Sequence, residues 1–323
     1  MKAVRARETG GPEVMEVVDI PEPEPKAGEV RVRVEAAGLN FIDVYYRKGL
    51  YPARMPTVLG LEAAGVVDAV GEGVTRFHAG DRIAYAAGPL GAYAEAHCVK
   101  ANTAVRLPDG IDARTAAAAL LKGMTAESLI RRCRPVRAGE TLLVHAAVGG
   151  VGLLLCQWAK ALGARVIGTV GSQAKAEIAR ENGCDEVILY RTEDVAARVK
   201  ALTDGAGVPV VYDSVGASTF EGSLASLARR GMLVTFGNAS GPVPPVAPLQ
   251  LSRGGSLYLT RPTLFDYTST VEELEASANA LFKVILNGTV KVRIGSERPL
   301  AEARQAHEAL EGRETIGATL LIP

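Results

Sequence analysis

Val30, Val32 and Val34 alternate with Arg31, Arg33 and Glu35. That is the two-residue period of a strand with one buried face. Short apolar runs at 66–70 and 82–85 predict further strands, and glycines from Gly38 to Gly80 separate them at turn-like spacing. Residues 21–25, Pro-Glu-Pro-Glu-Pro, predict an extended surface connection. The first third therefore reads as β structure.

After an alanine-rich stretch at 115–121 the pattern changes. Apolar strands are predicted at 141–146, 165–170, 186–189, 208–212 and 232–236. Helices are predicted at 152–162 and 172–181, each followed by a glycine (Gly163, Gly183). Strands alternating with helices imply a parallel, doubly wound sheet. The tail predicts a long helix from Val271, a basic strand at 290–294, a helix at 301–310 and a last strand at 317–322. The expected organisation is α/β: a doubly wound domain at 123–264, inserted into a β-rich domain made of 1–122 plus 265–323.

Residues 141–159 carry no formal charge, yet Gly149, Gly150 and Gly152 interrupt them and His145 and Gln157 lie within them. A strand, a tight turn and a buried helix fit this run better than a membrane span. Thirty-six Lys and Arg balance 36 Asp and Glu, so no excess basic field exists to draw the chain to nucleic acid or an anionic membrane. Cys98, Cys133, Cys156 and Cys184 form no Cys-x-x-Cys pair and read as free thiols of a reducing compartment. The start has no apolar secretory segment. A cytoplasmic protein is expected.

The candidate chemistry centres on Ala147-Val148-Gly149-Gly150-Val151-Gly152, after a strand and at the head of a helix. A glycine-rich turn there lets the backbone approach a pyrophosphate at the positive helix N-terminus. Against Gly-x-Gly-x-x-Gly the first position is alanine, so the βαβ context carries the reading; a turn serving only close helix–sheet packing has the same sequence. The second strand ends in Gly171-Ser172 and then Lys175, with no carboxylate before Glu177. An acidic residue would repel a 2′-phosphate and a lysine would accept one, so NADPH is expected rather than NADH. A solvated helix lysine is the plainer reading of Lys175.

These residues, with Gly10-Gly11-Pro12-Glu13-Val14, Gly38-Leu39-Asn40-Phe41-Ile42-Asp43, Leu59-Gly60-Leu61-Glu62 and Val211-Tyr212-Asp213-Ser214-Val215-Gly216, resemble the zeta-crystallin-like quinone oxidoreductases. These form a zinc-free branch of the medium-chain dehydrogenase/reductase superfamily. The resemblance spans essentially the whole chain; Val148 departs from the small residue usual at its position. It implies a GroES-like catalytic domain and a Rossmann domain with the active site in the cleft between them. It places Asn40, Tyr45, Tyr51 and Thr125 along the nicotinamide and substrate site, though both tyrosines also suit plain packing. Tyr190 and Arg313 would join Lys175 around the 2′-phosphate, and Asn238 would lie near the nicotinamide. Zinc-dependent relatives place ligands where this chain has Asn40 and Leu61, and 120–123 has neither Cys nor Asp, so no metal is expected. The implied activity is NADPH-dependent reduction of a quinone or another small planar electrophile, by a homodimer. A 2-alkenal or enone reductase, and a non-catalytic NADPH-binding protein, are the alternatives.

Overall fold

A computed structural model describes the whole chain, Met1–Pro323. It divides into two compact units: Met1–Met124 with Thr268–Leu286 and Val292–Pro323, and Thr125–Tyr267 with Asn287–Lys291.

The first unit begins with β1 (Lys2–Ala6), β2 (Met15–Asp19), β3 (Glu29–Leu39), α1 (Phe41–Lys48), β4 (Thr57–Val58), β5 (Glu62–Val70), β6 (Arg82–Tyr85), β7 (Ala96–Lys100), β8 (Ala104–Arg106) and α2 (Ala113–Glu127). β1 lies between β2 and β4 in a small antiparallel sheet. β3 is the spine of the larger sheet, because both β5 and β7 pair with it antiparallel. The alternation along β3 works as the sequence requires. Val30, Val32 and Val34 are buried, while Arg31 and Arg33 face outward and share Asp68 at 2.8 and 2.7 Å. α1 was not foreseen in this β-rich stretch. Asn40 starts it, with the Asp43 carboxylate accepting from the Asn40 N–H at 2.9 Å, and Gly49 ends it at φ 77°.

The second unit holds β9 (Thr141–Val144), α3 (Gly150–Ala161), β10 (Arg165–Val170), α4 (Gln173–Glu181), β11 (Glu186–Leu189), α5 (Val195–Leu202), β12 (Val208–Asp213), α6 (Phe220–Ser226), β13 (Leu227–Thr235), α7 (Pro248–Arg253), β14 (Tyr258–Thr260) and α8 (Leu264–Tyr267). Its six strands are all parallel, in the order β11-β10-β9-β12-β13-β14. The order reverses between β9 and β12. In open α/β sheets ligands bind beyond the carboxyl ends of the strands at such a switch point. Leu143, Ile167, Ile188, Val211, Phe220 and Leu233 form its core.

The chain then returns to the first unit through α9 (Val271–Leu286), β15 (Ile294–Pro299), α10 (Ala303–Glu311) and β16 (Ala318–Ile322). Leu274, Ala278, Leu281 and Phe282 give α9 its buried helical stripe. β16 pairs with β3 and carries β15 as the edge of the larger sheet. The basic strand expected at 290–294 is not formed; the strand is Ile294–Pro299. The Gln157 side chain accounts for the difference. It accepts from the Lys291 N–H at 2.8 Å and donates to the Lys291 carbonyl at 3.1 Å, taking the backbone groups a ladder would have used. No helix is long and apolar enough to cross a membrane.

Candidate active site

In the second unit, β9 runs into the glycine-rich turn at the switch point. His145 still pairs with Tyr212 (N–H to carbonyl, 3.0 Å), and Ala146 then takes a left-handed conformation at φ 52°. Gly149 precedes the first residue of α3, whose first turn carries no acidic residue. A side chain at Gly152 would put its Cβ 2.2 Å from the Ala146 carbonyl oxygen, so only glycine allows this turn. Ala147 and Val148 are buried, and Ala147 N–H donates to the Thr169 carbonyl at 3.1 Å. Their contribution to a ligand is therefore backbone; Val148 is absorbed by packing. Gly150, Val151 and Gly152 supply the unpaired N–H groups of a helix start, where an anion is favoured. The cradle fits a pyrophosphate.

Beneath the turn, His145, Thr169, Asp213 and Ser223 form a buried chain. Asp213 accepts from Ser223 Oγ and Thr219 Oγ1, both at 2.7 Å, and from the N–H groups of Val215 and Gly216. The one Ser223 hydroxyl proton goes to Asp213, so His145 Nε2, 3.0 Å from Ser223 Oγ, must be the donor there. Its Nδ1 then accepts from Thr169 Oγ1 at 3.0 Å. Burial lowers the His145 pKa and favours this neutral form. A serine, a histidine and an aspartate thus meet without an activated nucleophile; they brace the strand ends under the turn.

At the second strand, Ser172 caps α4 by accepting from the Lys175 N–H, and the first turn of α4 has no acidic residue. A Cβ at Gly171 would lie 2.7 Å from the Tyr190 hydroxyl and 3.4 Å from Arg191 Nε. Lys175 is half-buried; burial and the like charge of Arg191 lower its pKa, against an opposing effect of Tyr190. Gly171, Ser172, Lys175 and Tyr190 are thus brought together, and Arg191 is added to them. Its signal was legible, since it directly follows Tyr190 at the end of the third strand. Two cations and a phenol around a glycine suit a phosphate dianion. Asn238 sits after β13; with its carboxamide turned so that both ends are satisfied, the oxygen accepts from Arg261 and the nitrogen donates to the Gly237 carbonyl, both at 3.0 Å. Thr125 lies near the end of α2, its carbonyl accepting from Ser128 Oγ at 2.9 Å.

In the first unit, Asn40 stands at the start of α1, and Tyr45 within α1 meets Tyr51 just beyond it. The Tyr45 and Tyr51 rings meet edge-on, centroids 5.3 Å apart, and Tyr51 N–H donates to the Tyr45 carbonyl. The Asn40 amide nitrogen donates to the Gly38 carbonyl at 3.1 Å and to Glu62 Oε2 at 2.8 Å. Gly38 must be glycine, because a Cβ would come within 2.3 Å of Glu62 Oε2. Arg313 lies just past α10 in this unit, exposed and left-handed at φ 59°.

Behind α1 runs a buried network that sequence reading missed. Tyr93 donates to Asp43 Oδ2 at 2.8 Å; His307 Nε2 lies 3.3 Å from the Tyr93 hydroxyl and its Nδ1 2.9 Å from Arg47. Arg47 and Lys48 both pair with Glu311. Burial pushes the Asp43 carboxyl up to about 7 and, with Arg47, drives the His307 imidazole down to about 3. No group of three or more His, Cys, Asp or Glu is placed to hold a metal ion, and Leu61 is a buried apolar side chain.

A six-stranded parallel sheet with a glycine-rich turn at its switch point, joined in one chain to a β-rich unit, is the architecture of the dinucleotide-dependent oxidoreductases. Residues 26–109 match the alcohol dehydrogenase GroES-like domain, and residues 150–281 the zinc-binding dehydrogenase domain. The chain is 55% identical over 323 residues to a quinone oxidoreductase of Pseudomonas aeruginosa, covering 100% of this chain and 99% of that one. It is 42% identical to a 2-haloacrylate reductase of a Burkholderia species, covering 97% and 96%. The Escherichia coli quinone oxidoreductase solved in complex with NADPH superposes over 100% of both chains at 48% identity, with a TM-score of 0.98. The chain belongs to the zinc-free quinone oxidoreductase family of the medium-chain dehydrogenase/reductase superfamily.

Proposed function

We infer that this chain is an NADPH-dependent quinone reductase. The observation that carries the reading is the turn at Gly171, where Lys175, Tyr190 and Arg191 gather and no carboxylate stands in the first turn of α4. It is joined to full-length identity of 49–55% with proteins named quinone oxidoreductase. When bound, NADPH supplies two electrons and a proton as hydride from its nicotinamide. The backbone from Ala147 to Gly152 holds the pyrophosphate, and Gly171, Ser172, Lys175 and Tyr190 hold the adenosine ribose and its phosphate, with Arg313 as a further cation. Asn238 lies toward the nicotinamide. Asn40, Tyr45, Tyr51 and Thr125 contact the nicotinamide and substrate, ordering them and excluding water.

The Tyr45 hydroxyl is a donor suited to a developing oxyanion. Tyr45→Phe is expected to lower quinone turnover by roughly 10- to 100-fold, about 1.4–2.8 kcal/mol of transition-state stabilisation. Steady-state kcat checks it; an unchanged kcat leaves Tyr45 a packing residue.

The likeness to a 2-haloacrylate reductase favours a second reading, reduction of an activated C=C bond on the same scaffold. Initial rates with ortho-quinones, para-quinones, enones and 2-haloacrylates, with product analysis, separate the two. Quinone reduction predicts hydroquinone as the product formed at the highest kcat/KM. Saturated products formed faster from the alkenes would replace it.

The chain is proposed to act as a homodimer. β14 is the edge of the six-stranded sheet and exposes Tyr258, so a second copy could extend the sheet there. A reducing, cytoplasmic setting suits its four unpaired cysteines.

A further inference from the structure

The ion pair between Glu62 and Lys122 offers more donors than the protein uses. Glu62 is wholly buried, and Lys122 is 4% exposed. Glu62 Oε1 accepts from the Leu121 N–H at 2.7 Å; Oε2 accepts from Lys122 Nζ at 2.8 Å and from Asn40 Nδ2 at 2.8 Å. Lys122 and Asn40 are therefore side by side on one carboxylate oxygen. Both partners of the Asn40 amide nitrogen, Glu62 and the Gly38 carbonyl, only accept. That fixes the carboxamide, and Asn40 can offer a ligand only its oxygen. An amide oxygen cannot stabilise a negative charge. The ammonium next to it can: it carries three N–H donors, and Glu62 takes one. Burying such a pair is costly, and an apolar pair of the same volume often serves folding as well.

We propose that Lys122 is a catalytic residue: its ammonium, held by Glu62 beside Asn40, donates to the quinone oxygen that becomes anionic on reduction. The proposal rests on the quinone-reductase reading. A quinone that has gained two electrons and one proton is a hydroquinone monoanion, with one O–H and one O⁻. Water supplies the second proton, and Lys122 keeps its own. A charge-assisted hydrogen bond to that oxygen strengthens as its charge develops, which is what lowers a barrier.

Lys122→Met is expected to lower quinone kcat by about 100-fold or more, the usual loss for an oxyanion donor, with NADPH affinity within about twofold of wild type. Methionine leaves Glu62 buried and unpaired, so the double variant Lys122→Met/Glu62→Gln supplies a neutral pair; it is expected to fold and show the same loss. A second readout needs no turnover. 4-Nitrophenol, titrated to saturation into the NADPH-loaded wild type below the pH at which the free phenol ionises, is expected to show the absorbance of the phenolate, and not in the variants. A double variant that folds and reduces quinones at the wild-type rate overturns the proposal. So does a wild type that shows no phenolate. Failure of the quinone-reductase reading looks different: none of the quinones supports oxidation of NADPH by the wild type, whatever the phenol does.

Discussion

Alanine in place of Lys175 is expected to weaken NADPH binding by about tenfold or more and to leave NADH nearly unchanged. The 2′-phosphate is the only chemical difference between the two cofactors, and it is mostly dianionic at neutral pH. Lys175, Tyr190 and Arg191 surround the Gly171 turn with donors, two of them cationic. Each charge-assisted hydrogen bond is worth about 1.5–3 kcal/mol, less where solvent screens it. Two such bonds predict a wild-type preference of about 3 kcal/mol, roughly a hundredfold in affinity. Arg191→Ala is expected to act in the same direction and less strongly, because Arg191 is exposed. Calorimetric titration of both cofactors against wild type and variants decides. Equal losses for NADPH and NADH in Lys175→Ala would mean that the lysine shapes the turn and does not meet the phosphate.

Asp43→Asn is expected to make stability fall more steeply as the protein is acidified. The Asp43 carboxyl, near 3.9 in an unfolded chain, is pushed up to about 7 by burial in the fold. Between those values the unfolded chain loses this proton while the folded protein keeps it, so the stability present below about pH 4 is lost as pH rises through 7. His307 works in the opposite sense. Its imidazole, near 6.5 when unfolded, is driven down to about 3, so stability is lost as pH falls below about 6.5. His97, buried and lowered to about 4, adds to the acid loss. In the wild type the aspartate offsets about one of these two histidines between pH 6.5 and 4. Asparagine keeps the shape and an acceptor for Tyr93 and the Asn40 N–H but removes the offset, on the order of 3 kcal/mol over that interval. Denaturant unfolding of both proteins from pH 4.5 to 7 measures it, and parallel stability curves would remove Asp43 from the account.

The doubly wound unit was legible because its strands are short apolar runs stopped by glycines. Gly152 was legible in kind, as a glycine at a helix start; that the Ala146 carbonyl excludes any side chain there needed the structure. α1 was hidden. Its eight residues lie among strand signals, and what makes it a helix is a local exchange, the Asp43 carboxylate on the Asn40 N–H. The strand misplaced at 290–294 failed for a related reason, since one glutamine distant in sequence holds Lys291. Arg191 could have been read beside Tyr190. Glu62 and Lys122 could not have been paired, because nothing local ties a residue at the start of β5 to one in α2. Their meeting depends on Gly38 letting Glu62 approach, and that is set by tertiary packing.

The central claim is that this chain passes electrons from NADPH to quinones. The direct measurement is the initial rate of nicotinamide oxidation by the purified protein with a para-quinone, run in parallel with NADPH and NADH. The account predicts quinone-dependent oxidation of NADPH with hydroquinone formed, at a kcat/KM about a hundredfold above that with NADH. No quinone-dependent oxidation, or equal efficiency with the two cofactors, would contradict it.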